Sequence, residues 1–246
     1  MIRALAAIVF AMFATTASAQ PCTDVTYGDL PYTICEVDLN TTELRLFLNN
    51  EDGAPYGHFS TINRSLSNTG KQLGFAMNAG MYHEDRAPVG HYVENGREKM
   101  RVVTNAGPGN FGLLPNGVLC IRDGRADVIE TLRFVEEAPE CRYATQSGPM
   151  LVIDKELHPR FLPDSTSRYI RNGVGTSADG KRAVFAISGS PVTFYEFGRL
   201  FQDGLNLPSA LYFDGNISRL YALDLDRNDA GFRLGPIVGT VIPLTD

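Results

Sequence analysis

The chain has 246 residues, 43% of them hydrophobic, with 22 lysines and arginines against 28 aspartates and glutamates for a formal charge of −6. That length suits one large core and is short for two domains. The acidic balance, with no run of basic residues, argues against nucleic-acid binding.

At the N-terminus, Arg3 precedes an apolar run from Leu5 to Phe13 and then Ala17-Ser18-Ala19. A positive start, a short apolar stretch and an A-x-A close are the parts of a secretory signal peptide. The run is too short for a comfortable membrane anchor. Pro21 also stands before Cys22 where a lipidation signal carries a small residue. The expectation is a leader over residues 1–19, one domain over residues 20–246, and a secreted or periplasmic protein with no membrane insertion after cleavage. Cys22, Cys35, Cys120 and Cys141 all fall in the mature part, and an even count in an exported chain reads as two disulfides. Three pairings are possible; sequence proximity favours Cys22–Cys35 with Cys120–Cys141. A zinc site would need C-x-x-C spacing or a nearby histidine pair, and neither is present.

Glu43 to Leu48 alternates in part and reads as a strand. Residues 59–73 are expected to hold a helix. Hairpin signals follow at Asn95-Gly96, Asn116-Gly117, Asp123-Gly124 and Asp179-Gly180, each between strand-like runs; such turns favour antiparallel neighbours. For Asn116-Gly117 the expected flanks are Phe111 to Leu114 and Val118 to Ile121. Thr193-Phe194-Tyr195-Glu196 is a capping box. Phe194, Phe197, Leu200 and Phe201 then share a helical face, with Gly204 as the stop. Strand-like runs flank this helix, Arg182 to Ser188 before it and Ser209 to Asp214 after it. Strand, helix, strand predicts a β-α-β crossover with parallel strands that finish on one sheet edge, where ligands commonly bind. The fold class expected is α+β: one domain with a mixed, mostly antiparallel sheet and packed helices.

Four stretches carry more glycine and polar residues than strand ends require: Met77 to Tyr82, Gln146 to Leu151, Arg168 to Gly175, and Phe213 to Ser218. Their order resembles the phosphodiester glycosidase family, which shows an N-x-G-[FY]-like segment, then S-G-P, then an arginine before a V/I-G strand, and finally D-G-G-x-S. Here these fall on Asn78-Ala79-Gly80-Met81-Tyr82, Ser147-Gly148-Pro149, Arg171 with Val174-Gly175, and Asp214-Gly215-Asn216-Ile217-Ser218. The resemblance covers the chain from about Phe75 onward. Asn216 departs from it, standing where the family has a second glycine; asparagine tolerates left-handed backbone, so the turn can survive.

The resemblance implies hydrolysis of a sugar-1-phosphodiester, with a glycan or sugar-phosphate as ligand. Such chemistry stabilises an oxocarbenium-like centre and a departing phosphate, commonly with two carboxyl groups. Asp214 is the candidate carboxylate, as general base, nucleophile or electrostatic stabiliser. Arg171 suits the phosphate because its planar fork binds two oxygens at once. Asn78, Gly80, Ser147, Gly148, Gly215 and Ser218 are the candidate substrate-binding residues. A second carboxylate is not evident; Glu84 and Asp85 follow the first motif and read more naturally as a solvated loop. No cofactor is expected. A divalent cation would suit carboxylates, but no loop matches a calcium motif. Two other readings stand beside this one. A non-catalytic sugar-phosphate-binding protein would keep the cleft without turnover. A serine hydrolase would use Ser147, although the G-x-S-x-G elbow is missing.

Overall fold

The structure is a computed structural model that describes residues 22–215 and 217–244. The expected leader over residues 1–19 lies outside the described residues, and so does Asn216. The chain begins with β1 (Cys22–Tyr27), β2 (Leu30–Asp38), β3 (Glu43–Phe47), α1 (Phe59–Ser67) and β4 (Lys71–Asn78). There follow β5 (Tyr92–Glu94), β6 (Arg97–Met100), β7 (Gly117–Arg122), β8 (Arg125–Glu130), α2 (Thr131–Glu137) and β9 (Tyr143–Ser147). The last part holds β10 (Met150–Ile153), β11 (Glu156–Leu157), β12 (Asn172–Thr176), β13 (Arg182–Ser188), α3 (Phe194–Arg199), β14 (Ser209–Asp214), β15 (Leu220–Ala222), β16 (Arg227–Asn228) and β17 (Ile237–Pro243).

Three sheets result, with spatial orders β1-β2-β13-β12-β14-β10-β11, β16-β15-β4-β17-β3 and β6-β5-β9-β7-β8. Together with the three helices this is the α+β class expected. Central strands such as β14 alternate their side chains between two buried faces. On β14, Leu211 and Phe213 enter the core shared by the three sheets. Ala210 and Tyr212 turn instead toward α3, with Phe197, Leu200 and Phe201. Helix α1 covers the second sheet through Phe59, Ile62 and Leu66.

The crossover is present with one strand inserted. β12 pairs antiparallel with both β13 and β14, so those two run parallel and finish on the same edge with β12 between them. The capping box forms as expected: Thr193 Oγ1 accepts from Glu196 N at 3.1 Å, and Glu196 Oε2 accepts from Thr193 N at 2.8 Å. The helix continues through a π-helical turn at Leu200–Gly204. Cys22–Cys35 and Cys120–Cys141 are the two disulfides, and the first joins directly paired residues of β1 and β2.

The helix expected within residues 59–73 is present as α1, which ends at Ser67 before β4 begins at Lys71. One local expectation is corrected. Asn116-Gly117 turns no hairpin. Asn95 and Gly96 have the positive φ values, 53° and 72°, that a type I′ turn needs, and Asn116 and Gly117 do not. The Asn116 side chain is buried, donating to Phe111 O at 3.0 Å and accepting from Thr131 Oγ1 at 2.6 Å. Residues 111–114 are turns, and β7 pairs with β8 and β9 instead.

Candidate active site

The ends of β4, β13 and β14 meet the start of β12. Asn172, the first residue of β12, is the cross-strand partner of both Ile187 and Asp214. Its side chain reaches into the neighbouring sheet, where Nδ2 donates to Asn78 O at 2.8 Å and to Asn78 Oδ1 at 3.2 Å. Its Oδ1 accepts from Asp214 N at 3.2 Å and Ser218 Oγ at 3.3 Å. Asn78 Oδ1 accepts in turn from Arg219 N at 2.9 Å. Both amides are fully buried. Buried polar groups are tolerated when their hydrogen bonds are made. Here those bonds tie the Asp214 turn to two sheets.

Asp214 closes β14. Its Oδ1 accepts from Gly215 N at 2.6 Å, and its carbonyl accepts from Ser218 Oγ at 2.9 Å. Ile170 O lies 3.0 Å from the same hydroxyl, so its single proton is shared among Asp214 O, Ile170 O and Asn172 Oδ1 where the loop meets the segment leading to Arg171.

Arg171 is 1% exposed. Its backbone N–H donates to Ser188 Oγ at 3.0 Å, Nε to Val192 O at 2.8 Å, and Nη2 to Ser167 O at 3.1 Å. The guanidinium carbon lies 3.7 Å from the centroid of the Phe194 ring and 5.4 Å from those of Tyr169 and Tyr212. Nη1 is buried with no hydrogen-bond partner. Among the described residues no carboxylate lies within ion-pair distance of this guanidinium. Burial lowers its pKa, and Tyr212 beside it acts in the opposite direction. Arginine nonetheless keeps its charge in proteins.

Arg171, Tyr212, Asp214 and Gly215 line one cleft of about 740 Å3, with Tyr82, Tyr169 and Phe111 among the facing residues. Gly80, Ser147, Gly148 and Asn78 lie behind it rather than in its wall. Ser147 is fully buried and donates to Phe213 O at 2.9 Å, which holds β9 against β14. That bond gives Ser147 a packing role and no access as a nucleophile. Gly80 N donates to Thr145 Oγ1 at 3.3 Å, and Gly148 precedes Pro149 across a cis peptide. Glu84 lines the cleft, whereas Asp85 accepts from Ala87 N at 2.9 Å within its own loop; both are exposed. Among the described residues no group of three or more histidines, cysteines or carboxylates is placed to hold a metal.

A larger groove of about 1200 Å3 runs between the β5–β6 hairpin and α2. It contains none of the residues above. Volume alone does not mark a site; convergent polar groups do.

Sequence reasoning missed Asn172, Val192 and Phe194 as parts of the site. Asn172 lies within the Arg168 to Gly175 stretch, but its partner Asn78 is 94 residues away in sequence. In the sequence Phe194 signals only helix core.

Residues 71–236 match the sequence model of the phosphodiester glycosidase family. The uncharacterized protein YigE of Escherichia coli K12 is 33% identical over 217 residues, covering 88% of this chain and 83% of YigE. A hypothetical protein from Synechocystis shares the fold with a TM-score of 0.60 at 13% identity, over 90% of this chain. The match spans about three-fifths of that protein, 61%. The catalytic domain of zebrafish N-acetylglucosamine-1-phosphodiester alpha-N-acetylglucosaminidase, auto-inhibited by its pro-peptide, gives a TM-score of 0.55 at 13% identity. That match covers 92% of this chain and 81% of the zebrafish chain.

Proposed function

The chain belongs to the phosphodiester glycosidase family, and from that premise we propose that it is an exported hydrolase cleaving a sugar-1-phosphodiester in the Asp214 cleft. The observation that carries this reading is Arg171, a buried cation with no carboxylate partner, sharing the cleft wall with a strand-end aspartate. An ion removed from water without a counter-charge is costly. A phosphodiester placed against Nη1 supplies both the missing charge and the missing acceptor.

The chemistry follows from these groups. Arg171 stabilises negative charge building on the phosphate as the anomeric C–O bond breaks. A phosphate monoester leaves readily, so no strong acid is required on that side. Asp214 serves the anomeric carbon as general base for water, as nucleophile, or by stabilising positive charge there. Export rests on the leader expected over residues 1–19. The two disulfides accord with an oxidising compartment, and no described helix is long and apolar enough to cross a membrane.

The test is turnover of a panel of sugar-1-phosphodiesters by the mature protein, with and without chelator, followed by mass spectrometry. Asp214→Asn is expected to lower kcat by about 10²–10⁴, the range for losing a positioned general base, with an unchanged melting temperature. Full activity in Asp214→Asn overturns the assignment of the carboxylate. Saturable sugar-phosphate binding with no product from the wild-type protein would make this a binding protein instead.

A further inference from the structure

Nine buried side-chain polar atoms among the described residues have no hydrogen-bond partner, and three of them belong to residues of one cleft: Arg171 Nη1, Tyr212 Oη and Tyr82 Oη. We propose that Tyr212 and Tyr82 are substrate-binding hydrogen-bond donors in the Asp214 cleft, Tyr212 serving the phosphate together with Arg171 and Tyr82 serving the sugar. This assignment rests on the sugar-phosphate reading of the cleft.

The Tyr212 hydroxyl is held in place. Its ring meets Phe194 edge-on, with centroids 4.8 Å apart, and Phe194 also carries the Arg171 guanidinium. The hydroxyl rests against Gly215, where a Cβ would collide with it. It comes near Arg171 and Asn110 without completing a hydrogen bond to either. The guanidinium carbon lies 5.4 Å from the Tyr212 ring centroid, and Arg171 Nη1 and Tyr212 Oη both lack a partner, so the pair offers two donors to one anion in the cleft. A buried donor left without a partner costs free energy, and a phosphate oxygen supplies that partner.

Tyr82 lines the same cleft as Asp214 and feels its charge. Its ring lies on the backbone of Gly235, where a Cβ would fall 2.6 Å from Tyr82 Cβ and 2.7 Å from Cδ1. Its hydroxyl approaches the Gly235 backbone without making a bond of acceptable geometry. Burial and Asp214 push its pKa up, while Arg86 and Arg219 pull it down. For both phenols burial is the main cause of a raised pKa, and Asp214 adds to it. Both stay O–H donors at neutral pH, suited to holding substrate oxygens. Tyr32 and Tyr92 also lack hydroxyl partners, but neither lines the cleft, so the same reasoning does not reach them.

The experiment measures binding of inorganic phosphate and of glucose, mannose and N-acetylglucosamine 1-phosphates to wild-type protein, Tyr212→Phe and Tyr82→Phe by calorimetry. Melting temperatures are taken alongside. Neither hydroxyl makes a well-formed hydrogen bond within the protein, so neither substitution is expected to lower the melting temperature. Tyr212→Phe is expected to weaken inorganic phosphate about tenfold or more, the scale of a hydrogen bond to a charged group. Tyr82→Phe is expected to leave inorganic phosphate unchanged and to remove severalfold of the extra affinity the tightest sugar 1-phosphate gains from its sugar. Phosphate that fails to bind the wild type, or binds Tyr212→Phe equally well, overturns the Tyr212 assignment. Sugar 1-phosphates that bind no tighter than phosphate, or equally tightly to Tyr82→Phe, overturn the Tyr82 assignment. Binding is read without turnover, so a wild type that binds but does not hydrolyse fails the hydrolase reading alone.

Discussion

Asn172 joins three strands through one amide. It begins β12, bonds Asp214 N on β14, and pairs with Asn78 at the end of β4. Asparagine is fitted to this because it carries donors and an acceptor together. Asn172→Ala would leave Asp214 N, Asn78 O and the Asn78 side chain without these bonds, each loss costing about 1–3 kcal/mol and not additively. We expect a fall in urea midpoint with an unchanged m-value, since the folded and unfolded surfaces stay the same. Asn172→Asp should be worse. It cannot donate to Asn78, and it sets a second negative charge beside Asp214. Equal stability of wild type and Asn172→Ala would remove the amide from its place as the tie between the sheets. Three of the family motifs named Asn78, Arg171 and Asp214 in the sequence. That two of these meet through Asn172 was not legible, because no pattern in one chain reports a contact across 94 residues.

At the scale of elements, the first turn of α3 links the helix cap to the Arg171 seat. Glu196 completes the capping box through Thr193 N and also forks to Arg168 Nη1 and Nη2 at 2.9 and 2.7 Å. The residues around the cap, Val192 and Phe194, contact the Arg171 guanidinium directly. Thr193→Ala should cost about 0.5–2 kcal/mol, the usual loss for an N-cap, and should weaken phosphate binding by loosening Phe194. Chemical denaturation and phosphate calorimetry on this variant test both; a stability loss with unchanged phosphate affinity would separate the cap from the site. The capping box was legible because all its chemistry lies within four residues. The turns at Asn95-Gly96, Asp123-Gly124 and Asp179-Gly180 were legible for the same reason. The Asn116-Gly117 turn was misread because Asn116 spends its amide on Phe111 and Thr131. Helix α2 gave no periodic signal; of its residues only Thr131 and Phe134 are buried. The three-sheet arrangement was hidden as well, since pairs such as β2 with β13 and β3 with β17 join strands far apart in the sequence.

For the whole molecule, the buried titratable groups set a pH window for stability. His91 and His158 both have lowered pKa values, burial being the main cause in each. A group whose folded pKa is depressed contributes stability above its unfolded value, about 6.5 for histidine, and loses it as pH falls through the folded pKa. The unfolded chain binds those protons more readily than the folded one, so acid favours unfolding. Asp154, held low by the Arg133 fork, extends the loss at still lower pH. Tyr32, Tyr82, Tyr92, Tyr143 and Tyr212 are shifted the other way, all raised chiefly by burial. Their contribution is complete below the unfolded value of about 10 and is lost as pH rises through the folded values. The melting temperature should therefore hold a plateau between about pH 6.5 and 10 and fall on both sides. Thermal melts by circular dichroism from pH 4 to 11 read this directly. His91→Gln combined with His158→Gln should flatten the limb just below pH 6.5 while leaving the alkaline limb in place. An acid limb unchanged by both substitutions would assign the loss to carboxylates alone, and a melting temperature that keeps rising past pH 10 would contradict the direction of the tyrosine shifts.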